Sequence, residues 1–129
     1  MSPEILKGLK ITLLVEFCVF VLFGIFFTFF VEYYVSLFSW PNLDPTAGRF
    51  IGVIFLSFAF VTFLVYREKE WERIEYFIIL DILICILGAI VQLVGIFIDG
   101  TGWAGGLNFA IEIVLFLAFL YFYIQQQKQ

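Results

Sequence analysis

Four long apolar stretches, separated by short polar ones, organise this chain. The first, Ile11 to Phe38, runs almost without polar interruption. At about 1.5 Å per residue a helix of that length outreaches a hydrocarbon thickness of about 30 Å, so it must tilt or project. Tyr33, Tyr34 and Trp40 mark where it surfaces. The stretch is too long for the core of a signal peptide and lacks a small-residue cleavage site. Ser39 to Gly48 follows, with Pro41, Pro45 and several turn formers, and reads as a short external loop. Arg49 to Tyr66 makes a second span. The run Arg67-Glu68-Lys69-Glu70-Trp71-Glu72-Arg73 then predicts a hydrated helical elbow with Trp71 as an interfacial anchor. Glu75 to Ile98 is the third span, Asp99 to Gly106 a glycine-rich hairpin connection, and Leu107 to Ile124 the fourth span, closed by a glutamine-rich tail. The expectation is an all-α integral membrane four-helix bundle. It forms one domain over 1–129, with helices about 11–38, 49–66, 75–98 and 107–124.

Composition agrees with the pattern. The chain is 64% hydrophobic and 14% charged, against roughly 45–50% and 25% in an average soluble domain. A chain this short cannot hide that excess inside a water-soluble globule. Nineteen phenylalanines supply much of it, and most read as lipid-facing, since a helix in lipid loses nothing by being apolar all round. The lipid bilayer is thus the first partner the sequence implies.

Orientation follows from the cations. Lys7, Lys10, Arg67, Lys69, Arg73 and Lys128 fall on one side of the predicted membrane and only Arg49 on the other. Short cytoplasmic segments are the Lys/Arg-rich ones. The bias places both termini in the cytoplasm, in a multi-pass protein of the cell membrane, and argues against dual topology.

The ionisable residues inside the spans carry the chemistry, because a charge at bilayer depth costs about 2.5–3.5 kcal/mol even on the mildest scale. Glu16 and Asp81 sit at similar depth on the first and third spans, and Glu112 lies deeper on the fourth. On the third span, Asp81, Cys85, Gly88, Gln92, Gly95 and Asp99 fall on one line at helical spacing. Such a polar, small-residue stripe faces neighbouring helices. Asn108, Glu112 and Tyr123 share a face of the fourth span. The candidate ligand site is therefore Glu112, Asn108 and Gln92 around a cleft between the third and fourth spans, with Arg49 and Glu32 at its mouth. Glu16, Asp81 and Glu112 are candidate protonation sites. The same groups can instead join helices through interhelical hydrogen bonds, worth roughly 0.6–2 kcal/mol each. Gly88 and Gly95 read as helix-packing positions.

Several chemistries are excluded or left without a carrier. The formal charge of −4 lacks the basic footprint that nucleic acid requires. There is no histidine, and Met1 is the sole methionine, which rules out His-bearing zinc sites and His-ligated haem within one chain. Cys18 and Cys85 stand far apart in apolar helices and read as small buried hydrophobes. No cofactor, metal ligand set or catalytic motif is predicted.

The arrangement resembles the DoxX-like small four-helix membrane proteins. A long first helix leads into a proline-containing loop, Trp40-Pro41-Asn42-Leu43-Asp44-Pro45. A second helix opens with an arginine, in Gly48-Arg49-Phe50-Ile51-Gly52, and ends in a charged elbow. The resemblance implies a four-helix bundle and permits a role as accessory subunit of a quinone-linked oxidoreductase. Three functional readings follow, in order. The first is a non-catalytic protein binding a hydrophobic or amphipathic small molecule, or a partner membrane subunit, in the polar cleft. The second is a proton-coupled small-solute transporter acting as a homodimer, and the third a membrane enzyme using Glu16 and Asp81 as paired carboxylates.

Overall fold

The computed structural model describes residues 3–39 and 43–129, so Trp40, Pro41 and Asn42 of the predicted loop and of the resemblance lie outside the described residues. The described chain is helical throughout: α1 (Lys7–Phe29), α2 (Val31–Phe38), α3 (Pro45–Arg67), α4 (Trp71–Val94) continued by a π-helical turn (Gly95–Asp99), and α5 (Gly102–Gln126). Four helices are long and apolar enough to cross a membrane: Lys7–Phe29, Pro45–Arg67, Trp71–Asp99 and Gly102–Gln126.

The apolar stretch read as one helix over 11–38 is two. Phe30 leaves helical geometry at φ −129°, ψ 32°, within a run of aromatic and β-branched residues of low helix propensity. The break removes the excess length that a straight helix would carry and swings α2 inward, burying Val31 and Tyr34. Tyr34, predicted to mark the surface, is only 2% exposed and stacks between Phe27 and Phe38.

The other helices begin earlier than hydropathy alone predicts. Asp44 caps α3, its Oδ1 accepting from Ala47 N at 2.9 Å, and Pro45 fits the first turn, where its missing N–H is not needed. The charged elbow is reduced to Glu68–Glu70, because α4 starts at Trp71. Trp71 is not an anchor at a surface; it is 4% exposed in a cluster with Leu9, Ile74, Ile78 and Phe119, its ring against Tyr123.

The helices pack as two hairpins, α1 with α3 and α4 with α5, and α1 and α5 carry most of the contact between them. Small residues set the first hairpin: a Cβ on Gly24 would strike Leu56, and one on Gly52 would strike the backbone of Phe27 and Thr28. Phenylalanines fill the remaining seam, Phe20 against Phe55 and Phe58, and Phe17 against Phe63. The expectation that most phenylalanines face outward needs correcting. Only six are substantially exposed, Phe29, Phe30, Phe50, Phe60, Phe63 and Phe97, because ring stacking between α1 and α3 consumes many of the others.

The termini lie at one end, beside the elbow. Gln126, 1% exposed, accepts from Leu6 N at 2.8 Å and donates to the Glu4 carbonyl at 3.0 Å. Lys10 donates to the carbonyls of Tyr66 and Glu68. A packed core of Leu9, Leu13, Ile74, Ile78, Leu115 and Phe119 fills this half of the bundle. The opposite half is less well filled.

Candidate functional site

Above that core the hairpins separate around a cavity of about 300 Å³. Its walls come from four helices and are mainly apolar: Val19, Phe20, Phe23 and Phe27 from α1, Ile51 and Phe55 from α3, Ile84, Cys85 and Val91 from α4, and Ile111 and Leu115 from α5, with Leu43 from the loop. Four polar side chains interrupt this surface, namely Glu16, Gln92, Asn108 and Glu112. The space is roughly ten water volumes, at the small end of ordinary ligand pockets.

Each polar group is placed by helical spacing. On α4, Asp81, Cys85, Gly88 and Gln92 follow one another along the inward face, so Cys85 and Gln92 reach the cavity while Asp81 is fully buried beside it. The stripe does not continue to Asp99. The π-helical turn holds more residues per turn and rotates the chain, leaving Asp99 exposed. On α5, Asn108 and Glu112 share a face one turn apart. The Asn108 amide lies beside the Tyr34 hydroxyl, which brings α2 near α5. Phe38 stacks on Trp103 at 4.4 Å between ring centroids and closes the same end.

Glu112 rests on α4. An ideal Cβ at Gly88 would lie 2.6 Å from both carboxyl oxygens of Glu112, so only glycine leaves room for the carboxyl there. Its Oε2 is buried and meets no donor among the described residues. On the other wall, Glu16 is 1% exposed and its carboxyl contacts that of Asp81, with Thr62 of α3 alongside. Oε2 of Glu16 and both oxygens of Asp81 meet no N–H donor among the described residues. Carboxylates have no donor of their own, so two that touch require a proton between them. Glu16, Asp81 and Glu112 each lie within electrostatic reach of Cys85.

Glu112, Asn108 and Gln92 thus come together on one cavity, but the cavity lies between the two hairpins, wider than a cleft between the third and fourth spans alone. Arg49 and Glu32 do not line it. They form an exposed ion pair with each other between the start of α3 and the start of α2. The two exposed lining residues are Ile51 of α3 and Val91 of α4, helices that scarcely touch. The lining is thus most exposed on the side where α3 and α4 face each other, since α1 packs on α3, α5 on α4 and α1 on α5. Sequence reasoning placed Glu16 among titratable groups without bringing it to this cavity, and missed Tyr34 and the phenylalanine wall. The apolar i, i+3, i+7 spacing of Phe20, Phe23 and Phe27 was the available signal for that wall.

Among the described residues no three His, Cys, Asp or Glu side chains are grouped to hold a metal ion. No family model, curated protein or solved structure matches the chain. The functional reading rests on the cavity.

Proposed function

We propose that this chain is a multi-pass membrane protein, both termini cytoplasmic, that binds a small hydrophobic or amphipathic molecule in the cavity between its hairpins. The observation that carries the reading is the mostly apolar chamber with Glu16, Gln92, Asn108 and Glu112 inside and its exposed lining residues, Ile51 and Val91, on the α3–α4 side, where we place its mouth. A mouth on the side of the bundle opens to acyl chains, so a lipid-soluble molecule enters without crossing water. Apolar walls then supply area and the few polar groups fix orientation. The clustering of Lys7, Lys10, Arg67, Lys69, Arg73 and Lys128 toward one end supports cytoplasmic termini in the cell membrane. Native mass spectrometry from mild detergent tests this. A small molecule should stay bound to the wild-type chain and be lost or reduced in Glu112→Gln. An apo spectrum for both, at every lipid composition tried, counts against the reading.

A second reading, a proton-coupled small-solute transporter acting as a dimer, draws support from the Glu16–Asp81 contact beside the cavity, a place where a proton can be held. Proton flux in proteoliposomes that is lost in Glu16→Gln would favour it. The paired-carboxylate enzyme has less to stand on, because Asp81 lies behind Glu16 and outside the cavity wall. General acid and base must flank one substrate atom. The accessory-subunit role that the DoxX-like resemblance permits would place a partner helix over the lateral mouth.

A further inference from the structure

We infer that the ligand is an amphipathic amine, with its protonated nitrogen held at Glu112 and its apolar body among Phe20, Phe23, Phe27 and Phe55. This rests on the cavity-binding reading above and names the ligand's chemistry. The argument is an inventory of donors and acceptors. Two carboxyl groups line the cavity, Glu16 from α1 and Glu112 from α5, and no lysine, arginine or histidine lines it with them. Oε2 of Glu112 is buried and meets no donor among the described residues, whereas the Glu16 carboxyl already contacts that of Asp81. A buried acceptor left without a donor is costly, and the group that repairs it most strongly brings N–H bonds and a positive charge. An ammonium brings both, whereas an alcohol brings one donor and no charge. A carboxylate or phosphate headgroup brings neither and adds like charge to the site.

The apolar half of the chamber points the same way. Phe20, Phe23, Phe27 and Phe55 form one contiguous aromatic wall, their centroids 5.8–6.4 Å apart in the pairs Phe20–Phe55, Phe23–Phe27, Phe23–Phe55 and Phe27–Phe55. Such a wall receives the ligand's tail, because apolar side chains supply most of the contact area in a pocket. Gln92 and Asn108 offer amide oxygens to the remaining N–H bonds.

The test compares three probes with one tail, octylamine, octanol and octanoate, titrated against wild-type protein in nanodiscs of neutral lipid and read by native mass spectrometry. Octylamine should bind about tenfold tighter than octanol, equivalent to about 1.4 kcal/mol, and octanoate should not compete. In Glu112→Gln the amine's advantage should fall severalfold while octanol binding is kept. Octanol or octanoate binding as tightly as octylamine overturns the amine assignment and leaves the cavity reading standing. Failure of all three to bind overturns both. The wild-type comparison decides the matter even if a variant does not fold.

Discussion

Gly88→Ala separates packing from binding at a point where the cavity meets a helix seam. The added methyl would sit 2.6 Å from Oε1 and Oε2 of Glu112, and ordinary contact begins at 3.4 Å, so the carboxyl must retreat. Adding a methyl to a tight core costs about 1–3 kcal/mol. Here the obstacle is the far end of a flexible side chain bordering open space, which puts the cost near the lower limit, and alanine returns up to about 0.8–1 kcal/mol of helix propensity over glycine. The variant should unfold within about 1 kcal/mol of wild type, yet retain less ligand, because the displaced carboxyl now occupies the chamber. A double-mutant cycle with Glu112→Ala exposes the contact. Removing the carboxyl relieves the clash, so the two substitutions should couple by more than about 0.5 kcal/mol. Thermal unfolding in mild detergent, with ligand retention scored on the same samples, reads both quantities. Additive effects with unchanged retention would refute the placement of Glu112 against Gly88.

Two further outcomes follow from buried polar contacts. Gln126→Ala removes the acceptor for Leu6 N and the donor to the Glu4 carbonyl, which should cost about 1–3 kcal/mol and speed amide exchange at Leu6; unchanged exchange there would mean that the clamp does not hold the amino-terminal segment. Glu16→Leu and Asp81→Leu should each destabilise by about 1–3 kcal/mol by stranding the other carboxyl, and together by clearly less than their sum, since an apolar pair leaves nothing unsatisfied. A cycle that closes additively would show that the two carboxyls do not touch.

The number of long apolar helices was legible because hydrophobic length alone decides it, and the inward stripe on α4 was legible from Asp81 to Gln92 because helical spacing fixes direction. Both readings failed where local geometry departs from the ideal. The break at Phe30 is silent in a stretch that stays apolar through it, and the π-helical turn at Gly95 rotates Asp99 off the line that a regular helix would keep. Trp71 and Tyr34 were misjudged, and Gln126 passed over, for a shared reason. Each is amphipathic, and whether its apolar body or its polar tip governs depends on partners distant in sequence: Leu9 and Tyr123 for Trp71, Asn108 for Tyr34, Leu6 for Gln126. Arg49 and Glu32 looked like cavity groups because they are the charges nearest that end, but the two satisfy each other. Hairpin pairing, which decides where the cavity lies, depends on the close approach of Gly24 and Gly52 to the facing helices, and glycines in apolar helices do not say which neighbour they meet.

Photolabelling with an alkyl diazirine amine, followed by peptide mapping, tests the central claim most directly, because it reports where a ligand sits and not merely that one binds. Label on Glu112, Glu16 and the Phe20–Phe27 segment, reduced by excess unlabelled octylamine, is the predicted result. Label confined to outward residues such as Phe97, Ile98 and Val114, with no competition, would contradict a binding cavity between the hairpins.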